Sequence, residues 1–273
     1  MSYQEILYGT ANGVATITLN RPEKLNAWTA QMEREFSQAV LTANADDTVR
    51  VVLVTGAGRG FCAGADMSLL SSAAEAGSVV SGHRKLEVDY PEGAPARLRK
   101  RYSWLLAVPK PLIAAINGPA VGLGFIIPLF CDIRVASTAA KFSTIFAKRG
   151  LIAEYGLAWI LPRMVGLAPA MDLLLTARTF GAAEAQQLGL VTRVMPEESF
   201  ATEANALAEE MACGLSPRSL RIMKRQVYEA LETGLSESLD SAFEKMIESI
   251  ACEDFKEGVQ HYLEKRPPAF KGR

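Results

Sequence analysis

The carboxylate of Glu154 is the side chain best placed for acid–base chemistry, because it stands alone in an apolar segment. The sequence around it, residues 148–163, reads KRGLIAEYGLAWILPR, with a glycine on each side of the acid. Burial among apolar side chains would raise the pKa of the carboxyl group and strengthen it as a base, whereas a helix N-terminus would lower that pKa. Glu154 is therefore a candidate general acid and base. The alternative is a helix-start acid that caps its own amides or pairs with Lys148 or Arg149.

Two glycine-rich turns are candidates for binding an anion. The segments TGAGRGFCAGAD at 55–66 and NGPAVGLGF at 117–125 each follow a predicted strand and precede a predicted helix. We expect Asp66 to cap the first helix, and the second helix to begin near Leu123, after Gly122, which lets the backbone approach a ligand closely. Amides at a helix start lack intrahelical acceptors and carry partial positive charge. Together the two turns could hold a developing oxyanion, although each alone also fits an ordinary strand-to-helix turn.

The first turn, like the phosphate-binding loop of nicotinamide enzymes, is rich in glycine and follows a predicted strand, but its sequence matches the motifs of that loop poorly. The third glycine of a GxGxxG pattern would fall at Phe61, and the looser TGxxxGxG pattern fails at Cys62. No predicted strand ending in an acid follows about 20 residues later, and the chain has no YxxxK pair. Nicotinamide chemistry is therefore disfavoured.

Strand and helix signals alternate along the chain, and this alternation favours an α/β fold with layered sheets. The predicted strands and helices position the candidate residues. Residues 68–103 interrupt the alternation, because they are rich in Ser, Ala, Gly and charge, and we expect loosely packed helices and a loop that acts as a lid. The predicted strands cover residues 13–19, 49–56, 111–118 and 132–137, and the predicted helices cover 27–44 and 123–130.

The rest of the chain is predicted to be almost wholly helical, with Ser216 as a helix N-cap and Pro217 at the first helical position. We therefore divide the chain into a core, residues 1–196, and a C-terminal helical region, residues 197–273. Near the candidate acid, Trp159 is expected to pack in the core with its apolar neighbours. The basic residues of the preceding segment are expected to form a solvated charged face; they are Arg97, Arg99, Lys100 and Arg101.

Composition excludes several function classes. The 273 residues are 49% hydrophobic, enough for a substantial core, and the formal net charge of −1 provides no field for a nucleic-acid partner. No apolar run approaches the roughly 20 residues of a membrane span, and no signal peptide is recognisable, so we expect a cytoplasmic protein without a membrane partner. The 2 histidines and 4 cysteines lack metal-ligand spacing, so we expect no metal site and interpret the cysteines as reduced core residues.

Four segments in the same order resemble the crotonase, or enoyl-CoA hydratase/isomerase, superfamily. They are NRPEKLNAW at 20–28, GRGFCAGADM at 58–67, INGPAVGLGF followed by CDIRVAS within 116–137, and EKRPPAFKGR at 264–273. The resemblance implies an α/β, crotonase-like spiral of repeated ββα units with a C-terminal α-helical trimerisation region. It also implies an acyl-CoA substrate, with coenzyme A as part of the substrate and no other cofactor, and a homotrimer or a dimer of trimers.

The resemblance also implies roles for particular residues. The thioester oxygen would be held by the backbone amides of Ala65 and Leu123, and CoA from a neighbouring subunit would contact Phe270 and Lys271. The further residues that it places against the substrate or CoA are Lys24, Leu25, Ala27, Ala63, Gly64, Asp66, Gly122, Ile126 and Phe146.

The chain departs from the superfamily pattern at the two glutamates that hydratases use, because those positions hold Ile126 and Phe146. Glu154 matches a third position, which carries the catalytic acid in some enoyl-CoA isomerases. Hydration needs a water to be activated and a proton to be delivered, which suits two carboxylates, whereas one carboxylate can move a proton between two carbons. We therefore favour double-bond isomerisation, and the alternatives are a hydratase that uses Glu154 alone and an inactive acyl-CoA-binding protein.

Overall fold

The structure is a computed structural model that describes residues 3–76 and 90–273. Its strands are β1 (Ile6–Ala11), β2 (Val14–Leu19), β3 (Val51–Gly56), β4 (Leu112–Ile116), β5 (Ala120–Val121), β6 (Ile133–Ser137), β7 (Lys141–Ser143), β8 (Phe180–Gly181) and β9 (Arg193–Met195). Its helices are α1 (Ala30–Ala45), α2 (Met67–Ala76), α3 (Leu123–Leu129), α4 (Leu157–Val165), α5 (Leu167–Thr176), α6 (Ala182–Gln187), α7 (Phe200–Gly214), α8 (Pro217–Ala230), α9 (Leu235–Ile250) and α10 (Glu253–Glu264). Short 3-10 turns cover Pro22–Lys24, Ala96–Leu98, Ser103–Ala107 and Phe146–Arg149.

In the described part of the chain, the main sheet has the strand order β1-β2-β3-β4-β6-β9, and a smaller sheet has the order β5-β7-β8. The β1–β2 pair is antiparallel, and the other pairs of the main sheet are parallel. Parallel strands covered on both faces are apolar throughout, which explains the run VVLV at the start of β3. Val52 and Val54 face the core that contains α1, while Val51 and Leu53 face α7.

The predicted strands and helices are confirmed, with small shifts at their ends. Helix α1 begins at Ala30 rather than 27, because Thr29 is its N-cap and accepts a hydrogen bond from the Met32 amide at 2.9 Å. The strands β1, β5, β7, β8 and β9 were not predicted, and all but β1 have only two or three residues. Part of the predicted lid, residues 77–89, lies outside the described residues, as does His83.

Two expectations about burial are wrong. Trp159 is 37% exposed, because it lies on the outer side of α4, where the Arg163 guanidinium stacks on its ring at 4.1 Å from the centroid. Cys213 is exposed at the end of α7, and Cys252 is half-buried, where its sulfur accepts a hydrogen bond from the Phe255 amide at the start of α10. The other two cysteines, Cys62 and Cys131, are buried and reduced.

The predicted helix start at Ser216 is confirmed, since its hydroxyl accepts a hydrogen bond from the Ser219 amide at 3.1 Å and Pro217 is the first helical residue. Helix α7 packs on the main sheet, so residues beyond 197 contribute to the sheet core, and the division of the chain at 196 stays a prediction. Helices α8 to α10 expose large apolar side chains, among them Leu235 at 77% and Leu263 at 74%. No described helix is long and apolar enough to cross a bilayer.

A buried polar cluster fixes α8 to the sheet. The Lys224 ammonium lies 2.8 Å from Asp132 Oδ2, and the Tyr228 hydroxyl donates to Asp132 Oδ1 at 2.9 Å. Asp132 also accepts a hydrogen bond from the Leu112 amide at 2.7 Å, at the start of β4. One carboxylate thus joins α8 to the strand that leads to the second glycine-rich turn.

Replacing Lys224 by methionine is expected to lower the free energy of unfolding by about 3 kcal/mol, because it leaves the Asp132 carboxylate partly buried without its counter-ion. Equilibrium denaturation in urea at a fixed protein concentration measures this loss. The matched control is Arg225→Met on the same helix, which removes an exposed ion pair with Glu229 and should change stability by less than about 1 kcal/mol. Equal losses in the two variants would contradict a structural role of the Lys224–Asp132 pair.

Candidate active site

The two glycine-rich turns run side by side. Cys62 pairs with Ala120 in a parallel bridge, in which the Cys62 amide donates to the Pro119 carbonyl and the Val121 amide donates to the Cys62 carbonyl, each at 3.0 Å. The same register, continued along both segments, sets residue 64 opposite residue 122 and residue 65 opposite residue 123. A Cβ atom at residue 122 would lie 3.8 Å from the Cα atom of residue 64, in agreement with this register.

The amides of Ala65 and Leu123 are free to bind a ligand. The Trp28 amide donates to the Gly64 carbonyl at 2.7 Å, and the Asp66 amide donates to the Trp28 carbonyl at 2.9 Å. Ala65 lies between the two groups, the Gly64 carbonyl and the Asp66 amide, that bond to Trp28. In a parallel bridge such a residue directs its own N–H away from the partner strand, so the Ala65 N–H faces away from Trp28. Leu123 is the first residue of α3, where the helix itself offers no acceptor. Neither N–H has an acceptor among the described residues.

Glycine is required where the turns touch. Gly64 has a φ of +101°, and a Cβ atom there would lie 2.9 Å from the Val121 carbonyl oxygen. At Gly124 a Cβ atom would lie 2.0 Å from the Cys62 carbonyl oxygen. Both contacts are with main-chain atoms that cannot rotate away, so only glycine allows the two turns to approach this closely.

The two segments predicted to contact CoA also lie against each other. The Ala63 amide donates to the Leu25 carbonyl at 2.9 Å, and Arg21 Nη1 donates both to the Ala27 carbonyl at 2.7 Å and to Asp66 Oδ2 at 2.9 Å. Asp66 caps α2 as expected, because its Oδ1 accepts the Ser68 amide at 3.0 Å. The Ser68 and Arg21 hydrogen bonds hold the pKa of Asp66 below its usual value. Lys24 ends the 3-10 turn in the same loop.

Glu154 lies between the 3-10 turn Phe146–Arg149 and α4, and it is half-buried. Burial raises the pKa of its carboxyl group, and the nearby positive charge of Arg101 offsets part of this rise. Helix α4 has no side-chain cap, and Glu154 contributes only its main-chain carbonyl, which accepts the Leu157 amide at 2.9 Å. No ion pair among the described residues includes Glu154. The alternative in which it caps a helix or pairs with Lys148 or Arg149 is therefore wrong.

The two positions to which the sequence resemblance assigns the glutamates of hydratases are apolar and buried here. Ile126 on α3 is fully buried and Phe146 is 5% exposed, and both belong to the large core that also contains Leu123. Nothing at these two positions can accept or donate a proton. Of the three positions that the resemblance assigns to catalytic acids, only that of Glu154 carries a titratable side chain.

The two residues that follow Glu154 in the chain, Tyr155 and Gly156, line a cavity of about 420 Å³. Its size and its aromatic lining suit an apolar organic group. The aromatic residues that line it are Phe130, Tyr155, Trp159 and Tyr228.

Arg101 was expected in a solvated charged face, and this expectation is wrong. Its side chain is 16% exposed and forms an ion pair with Glu33 of α1, whose side chain is 3% exposed. No sequence pattern indicates this pair, because Glu33 lies between apolar positions of an amphipathic helix and Arg101 lies in an irregular segment.

The C-terminal residues Phe270 and Lys271 are anchored within their own chain. The Phe270 ring packs on His261 with centroids 5.8 Å apart, and the Phe270 carbonyl accepts a hydrogen bond from Arg50 at 2.7 Å. The Lys271 amide donates to Asp254 at 2.8 Å. Their contact with CoA of a neighbouring subunit stays a prediction.

Comparison with known proteins identifies the family to which this arrangement belongs. The family model described as Enoyl-CoA hydratase/isomerase matches residues 9–273. The chain belongs to the enoyl-CoA hydratase/isomerase family. It is 37% identical to "Probable enoyl-CoA hydratase" of Rhodobacter capsulatus over 100% of both chains, and 36% identical to "1,2-epoxyphenylacetyl-CoA isomerase" of Escherichia coli over 98% of both.

The solved structures of the family show the same fold. The enoyl-CoA hydratase of Bacillus anthracis superimposes with a TM-score of 0.87 at 30% identity, covering 99% of this chain and 100% of that one. The predicted crotonase fold and the membership of an acyl-CoA enzyme family are thereby confirmed. The glycine-rich turns of this enzyme are thus a feature of a crotonase fold and not of a dinucleotide-binding domain.

Proposed function

We propose that this enzyme moves the double bond of an enoyl-CoA thioester, with Glu154 as the acid and base and the amides of Ala65 and Leu123 as the oxyanion hole. The observation that carries the proposal is the half-buried carboxylate of Glu154, which forms no ion pair among the described residues, together with the apolar side chains of Ile126 and Phe146. A two-carboxylate hydration mechanism has no support from these residues.

The proposed reaction proceeds through an enolate. Two N–H groups polarise the thioester carbonyl, which acidifies the carbon from which Glu154 removes a proton. The electron pair of the broken C–H bond moves through the conjugated system to the thioester oxygen, where the two amides stabilise the negative charge. The protonated Glu154 then returns the proton two carbons away, and the carbonyl re-forms. Coenzyme A enters as part of the substrate, and the steps require no further cofactor.

The aromatic cavity supports a bulky or cyclic acyl group as the preferred substrate. The cavity is walled by Tyr155, Trp159 and Phe130, whose rings offer faces for stacking. The relative from Escherichia coli is named for an acyl-CoA with a phenyl ring. We expect kcat/KM for a 3-enoyl-CoA with a terminal phenyl or cyclohexyl ring to exceed that for the linear analogue of equal carbon number by about tenfold. Equal values for the two substrates would contradict this preference.

The experiment that tests the reaction follows product masses in deuterated water. The purified protein is incubated separately with a 2-enoyl-CoA and a 3-enoyl-CoA. Isomerisation shifts the double bond without adding water and can exchange substrate protons for deuterons, whereas hydration adds the mass of one water. A hydrated product alone would reject isomerisation in favour of a hydratase that uses Glu154 alone. Tight acyl-CoA binding without any turnover would indicate a non-catalytic binding protein.

We also propose assembly into a homotrimer or a dimer of trimers, in which Phe270 and Lys271 contact the CoA of a neighbouring subunit. The support is the apolar surface of α8, α9 and α10, where Leu239 and Phe243 are each 60% exposed. Multi-angle light scattering should give three or six times the chain mass of 29.5 kDa. A monomeric mass at micromolar concentration would reject this assembly.

A further inference from the structure

A buried ion pair lies next to the candidate acid. Glu33 is 2% exposed, and its carboxylate accepts hydrogen bonds from four donors. Arg101 supplies two of them, from Nε to Oε1 at 2.6 Å and from Nη2 to Oε2; Trp28 Nε1 donates at 3.2 Å and the Tyr102 hydroxyl at 3.4 Å. Withdrawing an ion pair from water costs free energy, and a protein in which apolar residues of similar volume replace the pair is often equally stable or more stable. An ion pair buried at this position is therefore a candidate for a role in the active site.

The same arginine holds the residue that follows Glu154. Arg101 Nη1 donates to the Tyr155 hydroxyl at 3.1 Å, and the guanidinium carbon lies 5.0 Å from the Tyr155 ring centroid and 5.1 Å from that of Tyr102. The two tyrosine rings meet edge to face with centroids 5.2 Å apart. Tyr155 has a φ of +50°, a left-handed conformation that a bulky residue adopts only when its surroundings hold it.

Arg101 also supplies the positive charge that acts on the Glu154 carboxylate. Tyr155 and Tyr102, which pack around the same guanidinium, are kept neutral because burial raises the pKa of both phenols. On the other side, Lys148 and Arg149 of the preceding 3-10 turn are exposed and form no described ion pair with Glu154. Glu33 carries the opposite charge and is paired with Arg101, so it opposes the effect of the Arg101 charge on its surroundings.

We propose that the Arg101–Glu33 ion pair is a positioning element of the active site, which holds Tyr155 against the cavity and keeps a positive charge next to the residue that follows Glu154. This inference rests on the proposed function, because it assigns Glu154 the role of the base. Arg101 and Glu33 are positioning residues: they act through Tyr155 and Glu154 and not through a contact with the reacting atoms.

The proposal predicts shifts of opposite sign in two variants. Arg101→Met removes a positive charge, which destabilises the Glu154 carboxylate and raises its pKa. Since the base form exists above that pKa, the acidic limb of the kcat/KM profile moves to higher pH by about one unit. Glu33→Gln removes the negative charge that cancels Arg101, so the limb moves to lower pH. Arg101→Lys keeps the charge and should restore the position of the limb, although it cannot reproduce the bidentate pair.

The matched control is Arg163→Met, which removes another guanidinium stacked on an aromatic ring of the cavity wall, at 4.1 Å from the Trp159 centroid. Its profile should keep the acidic limb of the wild type. An unchanged limb in Arg101→Met and Glu33→Gln, or shifts of the same sign, would overturn the proposal. Circular dichroism checks the fold of each variant, and if Arg101→Met does not fold, Glu33→Gln and Arg101→Lys decide the question by the same criteria.

A second readout separates this inference from the proposed function. The protein is labelled with glutamate carrying ¹³C at the side-chain carboxyl carbon, and the signal of Glu154 is assigned by its loss in Glu154→Gln. NMR titration then measures the pKa of this carboxyl without turnover. If wild-type protein converts no enoyl-CoA, the proposed function fails, and the titration still tests the ion pair. Opposite pKa shifts in Arg101→Met and Glu33→Gln support the positioning role, and equal pKa values in both reject it.

Discussion

Replacing Glu154 by glutamine is expected to lower kcat for enoyl-CoA isomerisation by about 10³-fold, within the range that general acid–base groups contribute. Glutamine has nearly the same shape as glutamate but cannot take up the substrate proton. The dissociation constant of a non-reacting acyl-CoA should stay within about twofold of the wild-type value, because the free amides of Ala65 and Leu123 and the loop around Lys24 are unchanged. Stopped-flow turnover and equilibrium titration with the saturated acyl-CoA measure the two quantities.

The matched control for this variant is Glu198→Gln, which makes the same chemical change at an exposed glutamate just before α7. We expect wild-type kcat there. If Glu154→Gln retained full activity, Glu154 would not be the base, and a bound water or the substrate itself would have to move the proton. A loss of acyl-CoA binding in parallel with kcat would instead show that Glu154 contributes to the shape of the pocket.

The convergence of the glycine-rich turns could be predicted from the sequence, because the carboxyl ends of adjacent parallel strands meet at one edge of a sheet. Strand β3 ends at Gly56 and β4 ends at Ile116, and the two strands pair in parallel with Val52 opposite Leu112. The turns that follow them are therefore neighbours. Their glycines also indicated close approach of main chains, as found at Gly64 and Gly124.

The environment of Glu154 could not be predicted in the same way. Burial raises its pKa and the charge of Arg101, 53 residues earlier in the chain, lowers it, while Arg101 itself pairs with Glu33 of α1. The local sequence around Arg101 and Glu33 does not indicate that the two side chains meet, and only tertiary packing buries them. Trp159 differs from its prediction in the opposite direction. The apolar run around it predicts burial, but the residue lies on the outer side of α4 and its indole is partly exposed. Local periodicity identifies elements, whereas contacts between distant segments determine which charges become buried.

Replacing Gly64 by alanine is expected to lower kcat by about 10²-fold through displacement of one oxyanion-hole donor. The new Cβ atom would lie 2.9 Å from the Val121 carbonyl oxygen, at a φ of +101° that costs a non-glycine residue about 1–3 kcal/mol. Moving the turn that carries the Ala65 amide away from the turn that carries the Leu123 amide would relieve the contact with Val121. Because negative charge on the thioester oxygen is greatest in the transition state, kcat should fall more than KM rises.

The matched control is Gly93→Ala, at a glycine that also has a positive φ, +73°, but no atom within 4 Å of the added methyl group. This variant shares the backbone strain and should lose stability while it keeps wild-type kcat. Thermal denaturation and steady-state kinetics on both variants separate the two effects. If Gly64→Ala lost stability to the same extent as Gly93→Ala and kept its kcat, the Ala65 amide would not bind the thioester oxygen. A fall in kcat in Gly64→Ala but not in Gly93→Ala would instead show that turnover depends on the spacing of the two amides, because both variants have the backbone strain and only Gly64→Ala changes that spacing.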